Sequence, residues 1–404
     1  MNLISKKKTK KLIFDSDVPH ITKYMGSKRN ILKFVIDNIA EIHRGEEICD
    51  LFAGTCILSG ALRNTASMHS NDIQNYSSYI AKTYLSNHDW NTYPEDIIDL
   101  VINQGQAYKK EIGEKFNKLN FNYENITSLE EFNKLEDDQK CLINETFENT
   151  PYHLFIKNYS GTYWSYDQCL AIDAFRKIAD DYKETPLHYV IISSIIFAMS
   201  YTSQSTGHYA QYRNAKDINS MLDIKKYRIK DFDFYFRRKM EELKSVLSTN
   251  NLNHKVTNLD YLDCLKDIST GSTVYADPPY GFVHYSRFYH ALETLVNYDY
   301  PELKYKGRYR TDRHQSPFSK SKDVRVAFEK MFNKINSKQA QLILSYSSTG
   351  MIRLDEIVEI ANSSFDFNYD ISVKSIDHLH STMGRSEDKS REVKEYLIIA
   401  KRKK

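Results

Sequence analysis

The chain has 404 residues, of which 41% are hydrophobic and 27% charged, and its formal net charge is +3. This is an ordinary globular composition, and the length suffices for one large domain with an insertion or for two domains. The near-neutral charge excludes a protein that binds nucleic acid through its overall charge alone.

The cysteines and the apolar segments indicate the compartment. The five cysteines are scattered and none forms a CxxC pair, so we predict neither a disulfide framework nor a metal site. This cysteine usage indicates a reducing environment. No apolar segment follows the N-terminal lysines, so we predict no signal peptide. The longest apolar stretch, residues 190–199, is too short to span a bilayer. We therefore expect a soluble, cytoplasmic protein with no membrane contact.

The first part of the chain predicts a βαβ unit. Residues 27–42 have apolar side chains at helical spacing. Residues 46–54 form a short apolar strand that ends in Asp50 and a glycine-containing turn. A helix then leads to a second strand within residues 66–73, which ends in Asp72.

The middle of the chain differs from both ends. Residues 86–254 are rich in Asn, Glu, Lys and Tyr, with helical periods and few strand signals, so they predict a mainly helical insertion. Within it, residues 187–203 predict a long, buried helix. Strand patterns return after this tract, at residues 254–261, 272–279 and 339–348. Two further apolar segments flank a polar loop over residues 379–392, and together they predict a C-terminal hairpin.

Aspartates stand at the ends of three predicted strands. In an open parallel sheet, ligands bind at the carboxyl ends of the strands. Gly54 would let the backbone approach a ligand closely, and Asp72 could accept both hydroxyl groups of a ribose. Asp277 begins the segment DPPY, whose prolines fix two φ angles and remove two backbone donors. Each feature taken alone is also compatible with a simple turn.

Four motifs in order carry a family resemblance. KYMGSK (23–28), DLFAGT (50–55), SNDI (70–73) and DPPY (277–280) resemble the alpha group of amino-methylating DNA methyltransferases, most closely the Dam-like N6-adenine-specific enzymes. The resemblance implies an α/β fold, with a Rossmann-like methyltransferase sheet and an antiparallel C-terminal hairpin. Residues 1–85 and 255–404 would form the catalytic domain. Residues 86–254 occupy the place of the target-recognition region, which binds DNA.

The resemblance also implies S-adenosylmethionine as the methyl donor. Tyr24 and Lys28 match residues near the carboxylate of the donor, and Asp72 matches the acid that binds its ribose. Asp260 is expected at the adenine ring of the donor, with Asp263 as the alternative. The implied cofactor-binding set is Tyr24, Lys28, Asp50, Phe52, Gly54, Asp72, Asp260 and Asp277. The family usually has a second glycine where this chain has Cys56, and we expect a crowded turn that still binds the donor.

The DPPY segment is the implied catalytic set, Asp277, Pro278, Pro279 and Tyr280. The exocyclic amine of adenine is a poor nucleophile because its lone pair is delocalised into the ring. The Asp277 carboxylate and the Pro278 carbonyl could accept its two hydrogens, and the prolines would hold both acceptors in place. Tyr280 offers a ring on which the base, flipped out of the duplex, could stack. The alternative is a rigid turn with Tyr280 in the core.

Basic and aromatic residues alternate after this segment. Lys304, Lys306, Arg308, Arg310 and Arg313 are predicted to contact DNA phosphates. Residues 207–216 have the same character inside the insertion. The alternative for both segments is an ordinary solvated surface.

The combined prediction is an adenine-specific methyltransferase of double-stranded DNA, in a restriction–modification or defence system with a cognate restriction endonuclease as a candidate partner. N4-cytosine methylation stays open as an alternative. So does a non-catalytic DNA-binding subunit with a decayed fold, which only Cys56 supports. The sequence predicts neither the recognition site nor the oligomeric state.

Overall fold

A computed structural model describes residues 12–23, 28–116, 121–204, 208–282, 284–381 and 390–403. The strands are β1 (Ile48–Asp50), β2 (Met68–Asn71), β3 (Lys255–Thr257), β4 (Thr273–Ala276), β5 (Leu303–Lys304), β6 (Tyr309–Arg310), β7 (Gln341–Ser347), β8 (Tyr369–Ser381) and β9 (Ser390–Arg402). Seven of them form one sheet in the order β3-β2-β1-β4-β7-β9-β8, and β5 and β6 form a separate hairpin.

The central sheet is mainly parallel. Neighbouring strands from β3 to β7 run parallel, whereas β9 is antiparallel to both β7 and β8. The α/β fold with a mainly parallel sheet, and the C-terminal hairpin, agree with the prediction. The hairpin is longer than expected, because its strands extend into the polar tract predicted as a loop, to Ser381 on one side and from Ser390 on the other.

Helices cover both faces of the sheet. They are α1 (Leu32–Ile42), α2 (Ile57–Leu62), α3 (Asn75–Leu85), α4 (Ile97–Lys115), α5 (Leu129–Lys140), α6 (Leu154–Tyr159), α7 (Tyr166–Asp181), α8 (Pro186–Thr202), α9 (Ile218–Arg228), α10 (Phe232–Val246), α11 (Tyr261–Asp267), α12 (Tyr285–Phe288), α13 (His290–Asn297), α14 (Val324–Ser337) and α15 (Leu354–Ser364). In the part of the chain that the structure describes, none of these helices is long and apolar enough to cross a membrane.

Two apolar cores lie on opposite faces of the sheet. Every residue of β1, β2, β4 and β7 is buried, as expected for parallel strands that are covered on both sides. Side chains alternate between the cores along a strand: Leu342 and Leu344 lie in one core, and Ile343 lies in the other. This covering leaves the ends of the strands as the place where a ligand can reach the sheet.

The helical tract between α3 and β3 shares one of these cores. Helix α8 is buried along almost its whole length, as predicted for residues 187–203. It packs on α3, where the Thr83 hydroxyl lies 2.7 Å from that of Ser193 and donates to the Tyr189 carbonyl. The apolar core therefore continues from the sheet into the helical tract.

Candidate functional site at the strand ends

Four aspartates line one edge of the sheet. Asp50 is the last residue of β1, and Asp72 and Asp277 directly follow β2 and β4. Asp260 follows β3 and caps the start of α11. Because β3, β2, β1 and β4 are adjacent and parallel, their carboxyl ends lie side by side. The sheet order therefore sets out the acids as Asp260, Asp72, Asp50 and Asp277 along one edge.

A cleft opens at this edge, and the space inside it together with the solvent at its mouth amounts to about 1230 Å³. We call it the strand-end cleft. It brings together nearly all the cofactor-binding and catalytic residues predicted from the sequence; those lining it are Lys28, Asp50, Phe52, Gly54, Asp72, Asp260, Asp277, Pro278, Pro279 and Tyr280. Tyr24 lies outside the described residues.

The turn after β1 is fixed by the acid of the next strand. Gly54 has a φ of +51°, in the left-handed region, and its N–H donates to Asp72 Oδ2 at 2.9 Å. The N–H of Gln74 donates to the other carboxylate oxygen at 2.8 Å. Burial raises the pKa of Asp72 to about 6, although these backbone donors oppose the shift. Asp72 thus shapes the turn as well as facing the cleft.

Cys56 occupies a position that suits glycine. Its φ of +57° lies in the left-handed region, which costs a residue with a side chain some free energy. The sulfur is buried and lies 3.2 Å from the carbonyl of Ser77, on α3. The side chain therefore packs into the core beneath the turn. Whether it alters donor binding stays a prediction.

Lys28 connects three side chains of the site. It is the first residue of a short 3-10 helix that leads into α1, and it is buried. Its ammonium lies 3.2 Å from Asp277 Oδ1 and 2.7 Å from Glu395 Oε1, and it donates to the Tyr280 hydroxyl at 3.3 Å. Glu395 itself accepts from the Ser345 hydroxyl at 2.7 Å. The sequence predicted Lys28 for the donor carboxylate, but here it pairs with the DPPY aspartate.

Glu395 is the residue of this cluster that the sequence analysis missed. It lies on β9 and is 1% exposed. A charged residue directly before an apolar strand segment was visible in the sequence, but acids often begin such segments at the surface. Its partner lies 367 positions away, so no local pattern could have connected the two.

The electrostatics of the cluster follow from burial and close charges. Burial raises the pKa of Asp277 to about 6; Lys28 opposes this shift and Glu395 adds to it. Burial lowers the pKa of Lys28, but Asp277, Tyr280 and Glu395 together raise it well above its usual value. Burial raises the pKa of Asp50 well above its usual value, and the nearby Asp277 and Asp72 raise it further. The close acids of the cleft therefore oppose one another's ionisation, and a cationic ligand bound among them would favour their charged forms.

The far end of the cleft has an aromatic wall. Phe52 stacks on Tyr261 with ring centroids 6.0 Å apart. Asp260 lies beside this pair and accepts from the Leu262 N–H at 2.9 Å. Asp263, the alternative to Asp260, instead pairs with Lys266 at 2.6 Å on the exposed side of α11. The geometry thus favours Asp260 over Asp263 as the acid that faces a ligand.

The five basic residues predicted to contact DNA do not share one environment. Lys304 and Lys306 are exposed on the β5–β6 hairpin, and Arg313 is half-buried. Arg308 donates to the carbonyls of Asn158 and Lys140, and Arg310 is 5% exposed and forms ion pairs with Asp299 and Asp312. Contact of these residues with DNA stays a prediction, but the two arginines already have partners within the protein.

Two cysteines and a histidine come together on the face of the sheet that α11 covers. The sulfurs of Cys49 and Cys264 lie 3.8 Å apart, and Cys264 Sγ lies 3.8 Å from His69 Nε2. Cysteine spacing could not indicate this group, because its members come from β1, β2 and α11. The group offers three ligand atoms, whereas a structural zinc site uses four. That the protein binds no metal stays a prediction.

Comparisons with known proteins agree with this geometry. A family model described as D12 class N6 adenine-specific DNA methyltransferase matches residues 24–360. The chain is 25% identical to Modification methylase LlaI of Lactococcus lactis subsp. lactis over 84% of its own length and 48% of that protein. It is 23% identical to Modification methylase StsI of Streptococcus sanguinis over 94% of its own length and 52% of that protein. The chain thus spans about half the length of these two relatives. It is also 22% identical to Type II methyltransferase M.NlaIII of Neisseria lactamica, over 83% of its own length and 86% of that protein.

Proposed function

The chain belongs to the D12 class of N6 adenine-specific DNA methyltransferases, and from this premise we propose its reaction. It transfers a methyl group from S-adenosylmethionine to the N6 amine of an adenine flipped out of double-stranded DNA. The observation that supports this most is the strand-end cleft, which places the DPPY turn beside a row of strand-end acids.

The acid row suits this donor. S-adenosylmethionine carries positive charge on its sulfonium and its ammonium group, and the carboxylates of buried Asp50 and of half-buried Asp72 and Asp277 would supply the opposite charge. The Asp72 carboxylate has lone pairs left for ribose hydroxyls after accepting from Gly54 and Gln74. Asp260 and the Phe52–Tyr261 pair would hold the adenine of the donor.

The DPPY turn would then activate the target amine. Asp277 Oδ1 faces Lys28, which leaves the other carboxylate oxygen for a hydrogen of the amine. The Pro278 carbonyl would accept the second hydrogen, so that the nitrogen lone pair turns toward the sulfonium methyl. The amine nitrogen forms a bond to the methyl carbon as the carbon–sulfur bond breaks, and the surplus proton leaves the nitrogen afterwards. Fixed acceptors make this arrangement effective because they need no reorganisation during the reaction.

DNA would lie across the hairpin and the helical tract together. Residues 86–254 are the proposed target-recognition region, and residues 1–85 with 255–404 the catalytic domain. The β5–β6 hairpin packs on the tract: the Tyr163 hydroxyl donates to the Gly307 carbonyl at 3.0 Å, and Lys306 lies 5.6 Å above the ring of Tyr212. Exposed Lys304 and Lys306 would therefore contact phosphates next to the target-recognition region.

The biological setting is inferred from the relatives. Their names are those of modification methylases, which supports a role in a restriction–modification system with a cognate restriction endonuclease. A cytoplasmic location fits the proposed DNA substrate. N4-cytosine methylation is the second candidate, since the amine of cytosine presents the same chemistry to the DPPY turn.

One experiment tests the reaction. Purified protein is incubated with methyl-labelled S-adenosylmethionine and DNA of mixed sequence, and the modified nucleosides are separated by chromatography. We expect label in N6-methyladenine and none in the Asp277→Ala control. Label in N4-methylcytosine would show that cytosine, and not adenine, is the target base. Donor binding by calorimetry without any transfer would favour a non-catalytic DNA-binding subunit.

A further inference from the structure

We propose that Glu395 is a positioning residue for methyl transfer, which acts on Asp277 by holding Lys28 between the two carboxylates. The inference rests on the proposed function, since it assigns a further residue to the same reaction. Glu395 reaches the site from β9, the antiparallel strand next to β7, whereas the motif residues lie on or near β1, β2 and β4.

The geometry shows a fixed carboxylate behind the lysine. Glu395 is 1% exposed and is held by the Ser345 hydroxyl at 2.7 Å. Its distance to the Lys28 ammonium is 2.7 Å, shorter than the 3.2 Å between Lys28 and Asp277. Among the described residues, Lys28 and Asp277 line the strand-end cleft but Glu395 does not. Glu395 can therefore influence the reaction only through its neighbours.

The charge of Glu395 offsets that of Lys28 beside Asp277. A single ammonium facing Asp277 in a buried site would neutralise the carboxylate and weaken it as an acceptor for the amine hydrogen. A second carboxylate draws the ammonium toward itself and leaves the lysine and the two acids with a net charge of about −1. Lys28 then still favours the ionised form of Asp277, but it neutralises less of the carboxylate charge. Asp277 therefore remains a strong hydrogen-bond acceptor for the amine. Glu395 thus sets how strongly Lys28 competes with the substrate for Asp277.

Several other groups face Asp277, and their charges must be considered. Asp50 approaches from β1, Tyr275 from β4, and Tyr285 from α12. Tyr280 comes from the DPPY turn itself. Burial raises the pKa of all three tyrosines, so these remain neutral near pH 7. Of the charged neighbours, Lys28 and Asp50 line the cleft, so Glu395 is the one that can be changed without touching it.

The test is the pH dependence of the rate of methyl transfer in Glu395→Gln. The amide keeps the size and the hydrogen bond of Glu395 but removes its charge, so Lys28 turns fully to Asp277. We expect the acidic limb of the profile to move to lower pH by roughly one unit. The rate on the plateau should fall several-fold, because Asp277 is now a weaker acceptor. A merely structural residue would change stability and leave the position of the limb unchanged.

A matched control exists in the helical tract. Glu136 is 3% exposed and pairs with Arg228 at 2.9 Å, so Glu136→Gln is the same change in an equally buried ion pair remote from the cleft. It should lower stability without moving the acidic limb. Glu395→Asp, which keeps the charge, should have its limb nearer to that of the wild type than Glu395→Gln does.

The outcomes separate this inference from the proposed function. A wild-type limb in a folded Glu395→Gln variant would overturn the role of Glu395. A shifted limb in the Glu136→Gln control would do the same, because the effect would then be general. If Glu395→Gln fails to fold, Glu395→Asp decides. Because this variant keeps the negative charge, a limb near that of the wild type would support the proposal, and a limb moved to lower pH by a full unit would contradict it. Absence of DNA methylation by the wild type would instead refute the proposed function.

Discussion

The strand-end cleft and the β5–β6 hairpin carry charged residues of very different predictability. In the cleft, each acid stands at the end of a strand, and the position of that end follows from a local pattern of apolar residues. On the hairpin, basic residues alternate along the sequence, yet Lys304 and Lys306 face solvent while Arg308 and Arg310 face the protein. The role of a charge can thus be predicted where secondary structure fixes its direction, but not where tertiary partners do.

The largest effect that tests the cleft side of this comparison is at Asp277. We expect Asp277→Asn to lower the rate of methyl transfer by at least about 10²–10³-fold, because a preorganised acceptor for the amine hydrogen is lost. Labelled-methyl transfer to DNA under single-turnover conditions measures the rate. The double variant Asp263→Asn with Asp267→Asn, on the exposed side of α11, serves as the control and should transfer methyl normally. A near-normal rate in Asp277→Asn would remove the DPPY turn from the chemistry.

A smaller effect is expected for donor binding. Asp72→Ala should weaken the affinity for S-adenosylmethionine by about 1.5–3 kcal/mol, because charge-assisted hydrogen bonds to the ribose are lost and the Gly54 turn loses its support. Isothermal titration calorimetry of the purified variants measures this loss. Asp263→Ala is the matched change on the exposed face of α11 and should bind the donor normally. Equal affinities in the two variants would mean that the donor does not use this end of the cleft.

The pH dependence of the wild-type reaction also tests the strand-end cleft. The pKa of Asp277 is raised to about 6 in the folded protein, so its acceptor form dominates above that pH and is replaced by the protonated form below it. Methyl transfer should therefore decline as the pH falls through about 6, by up to roughly tenfold per pH unit. Rates measured with saturating donor and DNA keep the loss of binding apart from this effect. An acidic limb near pH 4, the ordinary range of an aspartate, would contradict the raised pKa.

Much of the fold and of the cleft could be predicted from the sequence because strand positions and the acids that follow them depend on local patterns of residues. The resemblance to the methyltransferase family and the mainly parallel α/β sheet are confirmed. The apolar strand segments and the residues that end them are local features of the sequence, and the parallel sheet brings these residues to one edge. Glu395 could not be predicted because its partner Lys28 lies at the other end of the chain. The Cys49–His69–Cys264 group was missed because it depends on strand order and register.

On the hairpin side, Arg310 should contribute to stability more than to DNA binding. Its buried guanidinium pairs with Asp299 at 2.6 Å and with Asp312 at 2.8 Å, and both acids are exposed. Loss of these bonds in Arg310→Ala should lower the free energy of unfolding by about 1–3 kcal/mol. Denaturant titration followed by circular dichroism measures this change. Lys304→Ala, which loses only an exposed pair with Glu302, should leave stability within about 0.5 kcal/mol of the wild type.

The smallest expected effect concerns the exposed lysines. Lys304 and Lys306 lie on the hairpin next to the helical tract, and each phosphate they contact would release condensed counterions. Lys304→Ala combined with Lys306→Ala should therefore flatten the plot of log affinity against log salt by up to about two units of slope. Fluorescence anisotropy at several salt concentrations measures this slope, and donor affinity should not change because the donor uses the strand ends. Arg310→Ala, compared at a temperature where it is folded, should keep the wild-type slope, since its charge already faces Asp299 and Asp312. The reverse result, with a flatter slope for the arginine variant alone, would show that these ion pairs open to receive DNA and would end the distinction drawn between the two kinds of hairpin residue.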